Sequence, residues 1–360
     1  MSGRALAAIA AITLTVAAAA GSLVGQRAAA VDDPPFGPLH VAGNRLVSAD
    51  GRGVQLRGVN RSGTEYACIQ GWGIFSGPSD AASLAAMKSW GVNAVRIPLN
   101  EDCWLGINGA AESYSGPAYR QAIVDYVSLL GQAAMYAIVD LHWSAPGATP
   151  ATRTAPMPDA DHSVDFWTSV ATTFRGNDAV ILEVFNEPYP DLGHDTAEGW
   201  TCWRDGGTCP GVDFTVAGMK TLVTAIRSAG ATNVIALGGL SWSNALTQWL
   251  AFRPDDPLNN MAAAWHVYNF NACSDVSCYS GGAALTAAQI PVVATEIGTN
   301  DCGAAFLGDL LGWLDGTQSG YLAWTWNAWG STCAGMALID DYGGTATTYG
   351  QMYRAHLATR

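Results

Sequence analysis

Residues 180–188 read VILEVFNEP, an apolar run of strand length that stops at Asn186-Glu187-Pro188. A run that is apolar on both parities is the signature of a β-strand buried on two faces. Working outward, comparable runs lie at 54–60, 92–99 and 136–142 before it, and at 234–239, 262–268, 291–296 and 321–326 after it; the run itself spans 180–186. Stretches with helical spacing separate them, at 80–90, 117–132, 161–174, 214–228 and 303–314, with a weaker one at 243–252 and a last one at 347–357. Strands alternating with helices in this way predict an α/β fold, a closed parallel (β/α)8 TIM barrel. A short β-hairpin within 39–48 is expected to cap its lower end. No Pro/Thr/Ser-rich linker, charge block or internal repeat interrupts residues 31–360, which read as a single catalytic domain.

Most of the runs end on a polar or aromatic residue. The second ends at Arg96-Ile97-Pro98, the third at Asp140-Leu141-His142-Trp143, the sixth at His266-Val267-Tyr268, the seventh at Glu296 and the eighth at Trp324-Thr325-Trp326. In a parallel barrel the carboxyl ends of all strands open on one mouth, where barrel enzymes hold their chemistry. Taken singly, Arg96, His142 and His266 fit a core ion pair or a satisfied buried histidine equally well. Glu187 and Glu296 fit that reading poorly, because a carboxylate directly after an apolar strand is rarely placed there for packing. Two such glutamates suit the cleavage of a glycosidic bond. One carboxyl group brings a proton to the leaving oxygen and the other attacks the anomeric carbon, at a separation of roughly 5 to 5.5 Å in retaining enzymes.

Other chemistries lack their residues. There is no C-x2-C or H-E-x-x-H spacing for a metal, no P-loop for a nucleotide cofactor and no G-x-S-x-G elbow for a serine esterase. The formal charge is −13, and a strongly acidic surface repels phosphate backbones, so nucleic acid is excluded as a partner. A neutral carbohydrate meets no such objection. Residues 1–30 read as a signal peptide, with Arg4 at the start, an Ala-rich apolar stretch and Ala28-Ala29-Ala30 at its end. The expectation is a secreted, extracellular monomer with no membrane contact once that segment is cleaved. The eight cysteines suit an oxidising compartment. The short spacings Cys202/Cys209 and Cys273/Cys278 look like loop staples, and Cys68/Cys103 and Cys302/Cys333 are candidates to close longer loops.

The segments RGVN (57–60), VRIPLN (95–100), DLHW (140–143), FNEP (185–188), WHVY (265–268), TEIG (295–298) and WTWN (324–327) follow one another at barrel-strand spacing. Together they resemble glycoside hydrolase family 5, cellulase-type members of the clan of retaining barrel glycosidases. The resemblance implies that Glu187 is the general acid/base and Glu296 the nucleophile. It further implies that Arg96 and Tyr268 lower the pKa of Glu296, that Asn186 binds the sugar 2-hydroxyl and that His266 tunes Glu187. His142 would bind sugar hydroxyls, and Trp326 would be the floor on which the sugar stacks. Fourteen tryptophans exceed what a core alone would use, since a buried indole N–H needs a partner. Trp143, Trp242 and Trp72 are the candidates for further sugar platforms. The implied activity is an endo-β-1,4-glucanase, with a β-mannanase or an exo-acting β-glycosidase as alternatives. The loops at 63–78 and 198–211 depart from common members and leave that choice open.

Overall fold

The computed structural model describes residues 36–360 together with residues 1 and 3. The expected signal peptide, apart from residues 1 and 3, lies outside the described residues. Eight strands form the closed barrel: β1 (Arg57–Asn60), β2 (Ala94–Asn100), β3 (Tyr136–Trp143), β4 (Val180–Glu183), β5 (Ile235–Gly238), β6 (Met261–Tyr268), β7 (Val292–Gly298) and β8 (Gly320–Ala323). Each pairs in parallel with the next, and β8 returns to β1. Helices Ala81–Lys88, Gly116–Gln132, Ser163–Phe174, Met219–Ser228, Ala304–Thr317 and Thr348–Leu357 supply much of the outer layer. Their starts follow local chemistry: Asp80 accepts from the Ser83 N–H at 2.9 Å and Thr347 from the Gly350 N–H at 3.0 Å, satisfying donors that a first helical turn leaves free.

Strand alternation divides the core. On β3, Tyr136 and Ile138 pack inside the barrel with Leu56, Ile181, Ala236 and Val293, whereas Ala137, Val139 and Leu141 pack outward under the helices. The same parity continued upward brings Asp140 and His142 into the barrel mouth. The floor is therefore apolar and its upper layer polar. Ile138 is fully buried, and Ile138→Ala would cost about 2–5 kcal/mol in that floor. At the lower end, Leu39–Ala42 and Arg45–Ser48 form the antiparallel hairpin. It is tied to the barrel where the Leu39 N–H reaches the Asp178 carbonyl at 2.9 Å and the Val41 N–H reaches Asn260 Oδ1 at 2.8 Å, just before β4 and β6.

Several boundaries differ from expectation. The first run becomes a strand only at Arg57, because Val54 bonds to the hairpin at Leu46. β4 stops at Glu183 and β8 at Ala323, since the residues beyond them bend to build the mouth. The helix expected from 214 starts at Met219, because Val216–Ala217 pairs with Gly206–Gly207. The weak helix at 243–252 is reduced to a turn at Trp249–Phe252; before it, Ser241, Trp242 and Ser243 are all left-handed, with φ of 54°, 56° and 58°. The Cys-bearing loop contains a helix, Ala197–Asp205, beyond those expected from the spacing. The cysteines pair as Cys68–Cys103, Cys202–Cys209, Cys273–Cys278 and Cys302–Cys333.

Candidate active site

The mouth is organised around Arg96, which is wholly buried. Its Nε donates to Glu183 Oε2 at 2.6 Å, and Nη1 donates to Glu296 Oε1 at 2.6 Å and to Asn60 Oδ1 at 3.0 Å. Nη2 donates to Asn186 Oδ1 at 2.8 Å and lies 3.1 Å from Asp140 Oδ2. Burial opposes the guanidinium charge, but Asp140, Glu183 and Glu296 more than offset it and hold the group charged. A planar fork can face several carboxylates at fixed angles, which an ammonium cannot do.

A change of register on β7 fits this arrangement. Between Ala294 and Ile297, β7 carries one residue more than either neighbour, pairing Ala264 with Val293 but His266 with Glu296. Ala294 and Ile297 both pack outward, so Thr295 and Glu296 in succession meet interior partners, as a β-bulge permits. The Thr295 hydroxyl donates to Glu183 Oε1 at 2.8 Å while Glu296 reaches Arg96.

Glu296 is almost fully buried. Burial opposes its ionisation, but His266, Arg96 and His142, with a hydrogen bond from Tyr268, hold the carboxyl below the usual range. For Tyr268, burial and the Glu296 charge push the phenol far above its ordinary value, so it remains a donor. Glu183 also resists burial through the Arg96 charge and is held at about 2. Burial disfavours the His266 cation, yet Glu296, Glu183 and Glu187 raise it to about 9. Around His142 the Asp140 carboxylate, 2.8 Å from Nδ1, outweighs burial and raises the imidazole, whereas burial itself raises Asp140.

Glu187 follows β4 on a short loop held by the Asn186 N–H to Leu141 carbonyl bond at 3.0 Å. Oxygen atoms of Glu187 and Glu296 and a ring nitrogen of His266 lie within 4.8 Å of one another. His266 Nδ1 is 3.0 Å from Glu187 Oε1. The two glutamates open into a cavity of about 650 Å³ that His142, Asn186, Tyr268, Trp324, Trp242 and Phe270 also line. The left-handed turn after β5 is fastened to the glutamate loop, with the Ser243 hydroxyl on the Asn186 carbonyl at 2.7 Å and the Trp242 N–H on the Pro188 carbonyl at 3.1 Å. Gly193 lets Trp242 lie close, since a Cβ there would stand 2.4 Å from the indole.

The tryptophans divide. Trp324 lines the cavity and stacks on His142, with centroids 5.7 Å apart and planes 9° from parallel. Trp326, expected as the sugar floor, is fully buried and edge-on to Trp90 at 4.7 Å; it has no ring face open to a sugar. The chain leaves the strand after Ala323, and the Trp326 N–H returns to the Asn60 carbonyl, so the indole enters the layer under the helices. Trp242 is 43% exposed and stacks on Tyr189 at 5.1 Å. Trp72 and Trp143 do not line this cavity, and each packs against Tyr66, with ring centroids 5.9 and 6.3 Å away.

The family model described as Cellulase (glycosyl hydrolase family 5) matches residues 47–332. The chain belongs to this family. Among the relatives of this family 5 enzyme, a mannan endo-1,4-beta-mannosidase of Salipaludibacillus agaradhaerens is 24% identical over 86% of this chain and 88% of that protein. Endoglucanase CelA of Streptomyces lividans is 24% identical over 81% of this chain but only 56% of its own length. The crystal structure of beta-glucanase SdGluc5_26A from Saccharophagus degradans has a TM-score of 0.68 at 18% identity, covering 91% of this chain and 95% of that one. The motifs that pointed to the family converge here, and four further groups complete the site of this family 5 chain: Glu183, Asp140, Thr295 and Trp324. Asp140 and Trp324 stood in the strand-end motifs without a role. Glu183 carried a signal too, as the one charge inside an otherwise apolar run.

Proposed function

We propose that the protein is a retaining endo-β-1,4-glucanase in which Glu296 is the nucleophile and Glu187 the general acid/base. The carrying observation is the approach of their oxygens to within 4.8 Å in one cavity, in keeping with the roughly 5 to 5.5 Å of retaining glycosidases and well short of the 6.5 to 9.5 Å of inverting ones. In the first step a Glu296 oxygen bonds to the anomeric carbon, the glycosidic C–O bond breaks, and the Glu187 proton goes to the departing oxygen. In the second, Glu187 takes a proton from water, whose oxygen bonds to the same carbon as the ester to Glu296 breaks. One water is consumed and Glu187 is protonated again. Asn186 accepts from Arg96 through Oδ1, which leaves its NH₂ to donate to the sugar 2-hydroxyl.

Trp324 is the platform for the reacting sugar, with His142 beside it for hydroxyl contacts. Trp242 and Phe270 extend the cavity on the β5 and β6 side, and Trp143, Tyr66 and Trp72 form a further aromatic cluster. Surfaces for sugar at several places support attack within a chain. Mannan is the second reading, favoured by the near full-length match to a named mannanase. Product analysis on cellulose, glucomannan, mannan, xyloglucan and aryl glycosides separates them: short oligosaccharides from cellulose or glucomannan are expected, and activity on mannan alone would replace glucan. The apolar leader at 1–30 and the paired cysteines support export of the enzyme; its presence in culture supernatant, cleaved near residue 30, tests that.

A further inference from the structure

Glu183, the last residue of β4, has no position from which to touch a sugar: it is fully buried. Double displacement does not require it. One oxygen accepts from Arg96 Nε at 2.6 Å, and the other accepts from the Thr295 hydroxyl at 2.8 Å. That second oxygen also faces His266 Nε2 at 3.9 Å, beyond hydrogen bonding,. The nitrogen is buried with no hydrogen-bond partner. Across the ring, Nδ1 stands 3.0 Å from Glu187 Oε1 and 3.6 Å from Glu296 Oε2.

Carboxylates thus face both edges of one imidazole. A neutral ring keeps a bare lone pair on one nitrogen, and that lone pair would face a carboxylate either way, Glu183 from Nε2 or Glu296 from Nδ1. A doubly protonated ring turns an N–H towards each side. The charged groups around Glu183 are Arg96, His266 and Asp140, and those around His266 are Glu183, Glu187 and Glu296. The Arg96 charge is already shared among three carboxylates, which leaves the imidazole to bear further positive charge in this layer.

Taking Glu187 as the acid/base, we propose that Glu183 is a positioning residue for it: its charge keeps His266 doubly protonated, so that Nδ1–H holds Oε1 of Glu187 and leaves the other oxygen to carry the proton. No proton passes through His266. When Glu187 gives its proton to the leaving group, the new carboxylate is met by a cation already in place. Burial opposes the His266 cation, but the Glu296 charge and then Glu183 shift the ring upward, which agrees with this arrangement.

The test is a pH titration of the His266 ring nitrogens by 15N NMR on the whole protein, assigned by loss of the signal in His266→Asn. Both nitrogens are expected to carry protons at pH 7, and in Glu183→Gln the midpoint should fall by a unit or more, with Glu183→Asp recovering most of the shift. The alkaline limb of the activity profile should move down with it while KM changes little. A singly protonated ring at pH 7 in the unaltered protein overturns the proposal, whether or not Glu183→Gln folds. So does an unmoved midpoint in the variant, or a loss of activity equal at every pH. The NMR readout needs no turnover, so failure to hydrolyse any β-glycoside would count against the proposed function and leave this inference to its own measurement.

Discussion

The Tyr268 hydroxyl donates to Glu296 Oε2 at 2.5 Å. Arg96 holds the other oxygen, so both lobes of the carboxylate are fixed before a sugar arrives. The ring owes its position partly to Gly298, where a Cβ would stand 2.7 Å from the phenol. Tyr268→Phe removes a hydrogen bond to a charged acceptor, worth about 1.5–3 kcal/mol. Steady-state kinetics should show kcat lower by about 10- to 100-fold with KM little altered; unchanged kcat would separate the hydroxyl from the chemistry.

Glu187→Ala removes the proton donor and leaves the nucleophile intact. Hydrolysis of a polysaccharide should fall by about 10²- to 10⁴-fold. Aryl glycosides with acidic phenols need little protonation and should suffer less in the glycosylation step. Added azide should restore turnover of those substrates and give a β-glycosyl azide, detected by mass spectrometry and NMR; an α-azide would contradict the two-step route.

How much of this was legible follows from how each residue signals its place. The barrel was legible because strands buried on both faces are continuously apolar and polar residues gather at their carboxyl ends. Arg96, Glu187, His266, Tyr268 and Glu296 could be found by that rule, and the structure brings them together. A β-bulge leaves no such mark: one extra residue on β7 is invisible until neighbouring strands are paired, so nothing in the sequence singles out Thr295 as facing the interior. Trp324 and Trp326 have equal parity on an extended strand and were separable only by the bend after Ala323. The turn at Ser241-Trp242-Ser243 adopts a conformation that these residue types disfavour, and its tertiary bonds to the glutamate loop override local preference.

Those two tryptophans give a paired experiment. Trp324→Ala should raise KM about tenfold, from the loss of stacking worth roughly 1–1.5 kcal/mol, with little change in melting temperature. Trp326→Ala opens a cavity in the packed layer beside Trp90 and should cost about 3–5 kcal/mol of stability. Isothermal binding and thermal unfolding on both variants check the division; the reverse pattern would restore Trp326 as the platform.

The buried charge layer makes stability depend on pH in a stated direction. Glu183 titrates at about 2 in the fold against an ordinary 4.5, so its ionised form favours the native state. That contribution is full above about 4.5 and is lost as pH falls towards 2. The advantage of the unaltered protein over Glu183→Gln in thermal unfolding should therefore narrow across that window. A gap that stays constant from pH 6 to pH 2 would show that the charge of Glu183 does not stabilise the fold.

The division of labour between the two glutamates is tested most directly by trapping. Incubation with a mechanism-based fluoroglycoside, followed by proteolysis and mass spectrometry, should place a single covalent sugar on Glu296 and release it slowly with retained anomeric configuration. A label on Glu187 or any other residue, or hydrolysis with inversion, would contradict the account.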